Sequence, residues 1–207
     1  LAGALLANKL GVPVAHVEAG LRSKDKKMPE EINRTLVDHM SSLLFAPSQN
    51  AVSNLSREGL SHGNLVGNPI TDALRYILPK THRVETKRPY AVVTYHRIEN
   101  LTWERLTRTV HGLRVLSTEM PVLFFAHPRT RRLIDEWNID LTGVSLREPA
   151  SYIDMVSFVR NAAVVLTDSG GLQEETCYLK VSCVTLRNTT ERPETILVGA
   201  NRLAGKF

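Results

Sequence analysis

The fold is decided by residues 163–179, which read AVVLTDSGGLQEETCYL. The apolar run at 163–167 predicts a buried strand, and residues 172–179 predict a helix. Between them lies the turn Ser169-Gly170-Gly171, where two glycines let backbone amides approach a ligand. The positive N-terminal end of the next helix points at the same place. This turn predicts a phosphate site. The alternative on these residues is a tight strand-to-helix turn that needs glycine for its geometry alone.

The same alternation of strand and helix extends outward from this stretch. We predict further strands at 91–94, 122–126, 144–146 and 183–186, and helices at 102–116, 130–137 and 152–160. Strands separated by helices predict right-handed βαβ units and a parallel sheet, hence an α/β fold. The N-terminal part repeats the pattern with a helix at 1–10, a strand at 14–17, and helices from Pro29 and at 50–58.

Two segments predict a division into domains. The turn Gly67-Asn68-Pro69 indicates a crossing between domains, and residues 79–89 are polar, charged and bounded by prolines, as in a surface linker. We expect the C-terminal part of an N-terminal domain over 1–70, a crossing helix and linker over 71–89, and a C-terminal domain over 90–207. The absent initiator methionine and the ending without a terminal helix predict a fragment.

The composition favours a globular cytoplasmic protein. Of 207 residues, 43% are hydrophobic, and the apolar runs are far shorter than the roughly 20 residues that cross a bilayer, so we expect no membrane partner. The net charge of +5 permits an anionic ligand, but basic residues are dispersed and aromatics reach only 6%, which disfavours nucleic acid. Cys177 and Cys183 do not have a metal-ligand spacing, so no metal is predicted.

Polar residues directly after predicted strands are the candidate site, because ligands of such sheets bind at the carboxyl ends of strands. His96, followed by Arg97, suits diphosphate charge or protonation of a leaving oxygen, and His127 also follows a strand. Glu18 ends an apolar strand, where burial of an anion is costly, which marks it as an acid or base candidate. Structural histidines and an ordinary surface carboxylate at Glu175 remain the alternatives.

Six blocks in order carry a resemblance that extends over essentially the whole chain. They read HVEAGLRS at 16–23, PEEINR at 29–34, VGNP at 66–69, HRIEN at 96–100, TDSGGLQEE at 167–175 and TERPE at 190–194. The ordered set resembles the non-hydrolysing UDP-N-acetylglucosamine 2-epimerase family.

The resemblance implies two Rossmann-like doubly wound domains of the GT-B type, the first only partly present, with a UDP-sugar in the cleft between them. It implies an isomerase that interconverts UDP-N-acetylglucosamine (UDP-GlcNAc) and UDP-N-acetylmannosamine (UDP-ManNAc) by elimination and re-addition of UDP, for cell-surface polysaccharide precursors. No cofactor is implied, and the full-length protein is expected to form a homodimer. The fragment alone is expected to be inactive.

The matching motifs also imply residue roles. Glu18 and Glu30 would transfer protons, although Glu30 on its position alone is an ordinary helix-start carboxylate. His96 would contact the diphosphate and aid its departure. The remaining implied UDP contacts are Ser169, Gly170 and Gly171 at phosphate, Glu175 at the ribose and Arg192 near the nucleotide.

Arg97 and His127 resemble residues that bind an activating second UDP-GlcNAc in some bacterial members. The family often has two arginines after the motif histidine, whereas this chain has Arg97 and then Ile98, which weakens that inference. A hydrolysing relative and a non-catalytic nucleotide-sugar-binding module remain alternatives for the function.

Overall fold

The structure, a computed structural model, describes residues 1–86 and 88–204. The chain forms two compact units, the first comprising Leu1–Asp72 with Thr189–Arg192 and the second comprising Ala73–Asn188 with Pro193–Phe207. Residue 87 of the predicted linker and residues 205–207 of the predicted C-terminal domain lie outside the described residues. The division into domain, crossing helix and linker stays a prediction.

The first unit is a three-stranded parallel sheet with helices. Its strands, in sheet order, are β1 (Ala15–Val17), β2 (Leu43–Ala46) and β3 (Gly63–Leu65). Its helices are α1 (Ala2–Lys9), α2 (Pro29–Met40), α3 (Gln49–Arg57) and the first residues of α4 (Pro69–Ile77). Helix α2 begins with proline at its first position and two glutamates in the first turn, as the sequence predicts.

The second unit is a six-stranded parallel sheet in the order β6-β5-β4-β7-β8-β9. The strands are β4 (Ala91–Tyr95), β5 (Val122–Ala126), β6 (Val144–Arg147), β7 (Val164–Thr167), β8 (Ser182–Thr185) and β9 (Asn201–Leu203). The helices are α5 (Trp103–Glu119), α6 (Pro128–Glu136), α7 (Tyr152–Arg160), α8 (Gly170–Leu179) and α9 (Pro193–Leu197). The predicted parallel α/β architecture is confirmed.

The sheet of the second unit reverses its direction of growth between β4 and β7. The chain runs from β4 to β5 and β6 on one side, then returns to β7 and continues to β8 and β9 on the other. The carboxyl ends of β4 and β7 therefore lie side by side at a topological switch point, where ligands of open α/β sheets bind.

Both faces of the central strands are covered. Along β5, Val122, Phe124 and Ala126 belong to one buried cluster and Leu123 and Phe125 to the other. This continuous apolar run is the pattern of a parallel strand that is buried on both faces. Within the described part of the chain, no helix is long and apolar enough to cross a membrane.

Candidate functional site

The switch point of the second unit brings together two of the predicted motifs. The hydroxyl groups of Thr94 and Thr167 form a 2.7 Å hydrogen bond between the ends of β4 and β7. His96 is the first residue after β4 and Asp168 is the first residue after β7. The distance between His96 Nδ1 and Asp168 Oδ1 is 2.9 Å. The histidine motif and the Ser-Gly-Gly motif therefore form one cluster.

Asp168 is the residue around which this cluster is organised. Its carboxylate is completely buried and accepts hydrogen bonds from the backbone amides of His96 (3.0 Å) and Arg97 (2.9 Å) and from Asn100 Nδ2 (3.2 Å). The Arg97 guanidinium donates back to the Asp168 carbonyl oxygen over 2.8 Å. The strand-end loop after β4 is thus fixed to the end of β7.

The electrostatics of the pair follow from this geometry. Burial acts to raise the pKa of the Asp168 carboxyl, but the hydrogen bond and charge of His96, with the two backbone amides, outweigh it and lower the pKa. The same hydrogen bond raises the pKa of His96, against the opposing effect of burial. The pair therefore favours an ionised aspartate and a protonated histidine.

The Ser-Gly-Gly turn is built into the start of helix α8. The helix begins at Gly170, two residues earlier than predicted, so both glycines are its first helical residues. Ser169 caps it, because its hydroxyl accepts from the Leu172 amide over 3.4 Å. Gly170 is buried, whereas Ser169 and Gly171 are partly exposed. The positive end of α8 is therefore reachable from solvent and can attract an anion.

A buried polar network anchors α8 beneath this turn. Gln173 donates to the Ser169 carbonyl over 2.9 Å and accepts from Asn201 over 3.1 Å. Asn201, on β9, also accepts from Thr185 over 2.8 Å. Strand β9 was not predicted, and it supplies the asparagine that fixes Gln173 and, through it, the turn.

Glu175 is a buried carboxylate, which excludes the surface alternative. It is only 7% exposed and accepts a 2.9 Å hydrogen bond from the Tyr152 hydroxyl. Burial raises the pKa of the Glu175 carboxyl, and the Tyr152 hydrogen bond partly offsets this. Burial, together with the hydrogen bond to Glu175 and its charge, raises the pKa of the Tyr152 phenol. A carboxylate in this position can accept hydroxyl donors from a ligand.

Glu18, in the first unit, is not buried, contrary to expectation. Its side chain is 43% exposed and lies 3.3 Å from Arg192 Nη2. The reason is local: Glu18 takes a left-handed conformation with φ of 67°, so Ala19, not Glu18, fills the core beside β2. Non-glycine residues rarely adopt this conformation, and it costs free energy where they do.

The turn that carries Glu18 is held by a second buried aspartate. Asp38, on α2, accepts from the Gly20 amide over 3.0 Å and lies 2.6 Å from His16 Nδ1 and 2.7 Å from Arg22 Nη1. Burial acts to raise the pKa of the Asp38 carboxyl, but His16 and Arg22 outweigh it, so the pKa is lowered. Gly20 is required here, because a Cβ at its φ of 82° would overlap the Ala51 carbonyl oxygen.

The adjacent carboxylates Glu30 and Glu31 differ in their surroundings. Glu31 is buried and accepts from the backbone amides of Ser23 (2.9 Å) and Lys24 (2.7 Å), which fastens the loop to the start of α2. Glu30 is exposed. Glu31 is therefore a carboxylate that holds the loop, whereas Glu30 lies at the protein surface.

The two predicted effector residues differ as well. Arg97 belongs to the switch-point cluster through Asp168, whereas His127 is exposed and caps α6 by accepting from the Arg129 amide over 3.2 Å. No group of three or more His, Cys, Asp or Glu that could bind a metal occurs among residues 1–86 and 88–204.

Sequence reasoning missed the structural role of the two buried aspartates. Asp168 lies inside one of the motifs quoted above. A charged residue between a buried strand and a glycine turn indicates a carboxylate that is buried and hydrogen-bonded. Glu31 and Asp38 lie seven residues apart, which is two helical turns, so they share the buried face of α2. Acidic residues at that spacing on a buried face indicate carboxylates that fix a neighbouring loop.

Comparison with known proteins agrees with this architecture. The chain is 45% identical to UDP-N-acetylglucosamine 2-epimerase of Methanocaldococcus jannaschii, over 99% of this chain and 62% of that relative. It is 39% identical to UDP-2,3-diacetamido-2,3-dideoxy-D-glucuronate 2-epimerase of Pseudomonas aeruginosa, over 99% of this chain and 60% of that relative. The chain therefore spans about three fifths of the length of these relatives.

A solved structure and a family model give the same result. The M. jannaschii enzyme in complex with UDP-GlcNAc and UDP superposes with a TM-score of 0.88 at 44% identity, over 99% of this chain and 62% of that one. The predicted GT-B type of α/β fold is confirmed by this likeness. The family model described as UDP-N-acetylglucosamine 2-epimerase matches residues 1–206. This chain belongs to the UDP-N-acetylglucosamine 2-epimerase family.

Proposed function

We propose that the intact protein interconverts UDP-GlcNAc and UDP-ManNAc without net hydrolysis. The observation that supports this best is the pairing of His96 with Asp168 beside the serine-capped start of α8. That arrangement offers positive charge and hydrogen-bond donors to a diphosphate at the switch point of a parallel sheet.

The second unit would bind the nucleotide. The backbone amides of Ser169, Gly170 and Gly171 would meet phosphate at the positive end of α8, and His96 would donate to the diphosphate. Glu175 would accept the ribose hydroxyls, a role that its burial and its contact with Tyr152 support. Arg192, which belongs to the first unit and lies within 3.3 Å of Glu18, would add positive charge for the nucleotide.

The first unit would supply the proton-transfer groups. One carboxylate of Glu18 and Glu30 would take the proton from C2 while the C1–O bond breaks and its electron pair leaves with UDP. UDP would then add back to C1 of the resulting glycal, and the other carboxylate would deliver a proton to the opposite face of C2. Access by a substrate is supported by the exposure of Glu30 and the partial exposure of Glu18.

Family membership also supports proposals about oligomeric state, location and biological role. We infer a homodimer, a cytoplasmic location and a place in the supply of cell-surface polysaccharide precursors, with no nucleic-acid or membrane partner and no cofactor. Arg97 and His127 would bind a second UDP-GlcNAc as an activator; the fixed position of Arg97 supports this more than the exposed His127 does.

A second candidate keeps the chemistry and changes the sugar. The 39% identical relative is named for a diacetamido-dideoxyglucuronate, so a UDP-sugar that carries a carboxylate at C6 is the second candidate substrate. Comparing turnover of UDP-GlcNAc with turnover of that uronate would separate the two.

Product analysis tests the proposal. Incubation of the intact protein with UDP-GlcNAc, followed by proton and phosphorus NMR, should show UDP-ManNAc rising to a constant ratio while free UDP does not accumulate. Steady release of UDP and free N-acetylmannosamine would favour the hydrolysing alternative. Binding without any product would favour a non-catalytic module.

A further inference from the structure

We propose that Asp168 is the positioning residue of His96: it fixes the hydrogen on Nδ1 and keeps the imidazole charged, which leaves Nε2–H to donate to a phosphate oxygen. The role at phosphate rests on the proposed function, whereas the effect of Asp168 on His96 does not. Asp168 reaches the reaction only through His96, so it is not a catalytic residue.

The first support is the geometry of the carboxylate. In the described part of the chain, the donors that reach it come from one segment, residues 96–100. Backbone amides of His96 and Arg97 fix the carboxylate, and the 2.9 Å contact with Nδ1 then fixes the ring. An ionised carboxylate has no hydrogen to give, so Nδ1 must be the donor.

The second support is the exposure of the ring. The His96 side chain is 43% exposed although its partner is completely buried. With Nδ1 committed to Asp168, Nε2 is the remaining ring nitrogen, and it can face a ligand. A histidine oriented from behind by a buried carboxylate is a common arrangement where the other nitrogen acts on a substrate.

The third support is the balance of charge around the ring. The Asp168 hydrogen bond and charge raise the pKa of His96, burial and Arg97 lower it, and Glu99 raises it. Arg97 Nη1 lies 3.6 Å from Glu99 Oε1, so these two charges largely cancel each other. Asp168 therefore determines the net upward shift.

In the proposed reaction the imidazolium keeps its proton. When the C1–O bond breaks, the electron pair leaves on the β-phosphate oxygen, and the C2 proton goes to a carboxylate of the first unit. Nε2–H donates a hydrogen bond to the oxygen that gains charge, and no proton moves to Asp168. When UDP adds back, an electron pair of the same oxygen forms the C1–O bond again, and the other carboxylate delivers a proton to the opposite face of C2.

NMR titration of His96 tests the effect of Asp168 directly. In the intact protein, the pKa of His96 should lie above the ordinary 6.5, and in Asp168→Asn it should fall because the largest cause of the upward shift is removed. Asp140→Asn, which changes an exposed aspartate in the same unit, should leave the titration unchanged. The same His96 pKa in wild type and Asp168→Asn would overturn the proposal.

The wild-type protein alone decides the question if Asp168→Asn does not fold. Above the pKa of His96, nitrogen chemical shifts should show the neutral ring with hydrogen on Nδ1, the less common tautomer. Hydrogen on Nε2 would overturn the proposal.

Binding of UDP separates this inference from the proposed function. Asp168→Asn should weaken UDP binding roughly 10- to 100-fold at pH 7, as expected for loss of one charge-assisted hydrogen bond. It should also move the alkaline limb of kcat/KM to lower pH. If Asp168→Asn lowers the His96 pKa and weakens UDP binding but the wild-type protein does not epimerise UDP-GlcNAc, the proposed function alone is rejected. Epimerisation with an unshifted His96 would reject this inference alone.

Discussion

Asp38 in the first unit and Asp168 in the second are both completely buried, and each carboxylate contacts a histidine Nδ1, at 2.6 Å and 2.9 Å respectively. Around both, hydrogen bonds and positive charge outweigh burial, so the pKa of each carboxyl is lowered. The two clusters differ in what the aspartate leaves accessible. His96 is 43% exposed, whereas His16 is 21% exposed and the accessible group beside Asp38 is Glu18.

The difference shows that one local arrangement can serve two purposes. At Asp168 the histidine itself remains exposed to solvent. At Asp38 the histidine, the Gly20 amide and Arg22 together hold a strained turn, and the exposed group is the Glu18 carboxylate on that turn. Each unit therefore uses buried charge to fix a different kind of functional group.

Replacement of the two proposed proton-transfer carboxylates, Glu18 and Glu30, should produce the largest effect on kcat. Glu18→Gln or Glu30→Gln in the intact protein should lower kcat by about 10²- to 10⁴-fold, because proton transfer at C2 loses its base or acid. The check is steady-state kinetics with UDP-GlcNAc. Glu104→Gln, at an exposed carboxylate paired with Arg108, is the matched control and should change kcat little. Undiminished kcat in both site variants would show that neither carboxylate transfers a proton at C2.

Removal of Asp38 should have the next largest effect, on the free energy of unfolding of the first unit. Asp38→Ala removes the acceptor of the Gly20 amide and of His16 and leaves Arg22 with Glu58 as its ion-pair partner, and we expect the first unit to lose about 3 kcal/mol of stability. Native-state hydrogen exchange of the β2 amides would measure it. Asp140→Ala, at an exposed aspartate in the second unit, should change the stability of that unit little. A similar small cost at Asp38 would mean that the turn is held by other contacts.

Gly20 sharpens the account of the strained turn. Gly20 and Gly59 share a φ of 82°, but only Gly20 has a backbone oxygen where a Cβ would lie. Gly59→Ala should cost about 1–2 kcal/mol for the left-handed conformation alone. Gly20→Ala should cost about 1–3 kcal/mol more for the overlap, by the same exchange measurement. Equal costs would contradict the close packing of Gly20 against α3.

The smallest expected effect is a difference in pH dependence. A lowered aspartate pKa contributes stability above the unfolded value near 3.8 that is lost as pH falls through the folded pKa, so both units should weaken in acid. The raised pKa of His96 contributes stability below 6.5 that is lost as pH rises through the folded pKa. Exchange rates in β4 should therefore rise above pH 6.5 in wild type more than in Asp168→Asn.

The sequence predicted the elements of this fold well because local patterns determine them. Residues 163–179 contain the strand, the glycines and the helix, and each is specified by neighbouring residues. Strand β9 escaped prediction because its three residues, Asn201–Leu203, become a strand only by pairing with β8. The start of α8 was misplaced because Ser169, not the second glycine, caps the helix.

The site was less predictable because its geometry depends on residues distant in sequence. The exposure of Glu18 follows from its left-handed conformation, and the side chain then contacts Arg192, 174 residues away. The pairing of His96 with Asp168 joins residues 72 apart that meet only because β4 and β7 are neighbours. Motif spacing along the chain indicates candidate functional residues. It does not indicate which residues fix their positions in the folded protein.

Incorporation of solvent hydrogen at C2 tests the central claim most directly. The intact protein should be incubated with UDP-GlcNAc in deuterated water and both epimers recovered. We expect one deuterium at C2 of both UDP-GlcNAc and UDP-ManNAc, and loss of this exchange in Glu18→Gln or Glu30→Gln. Formation of UDP-ManNAc with the original hydrogen retained at C2 would contradict it.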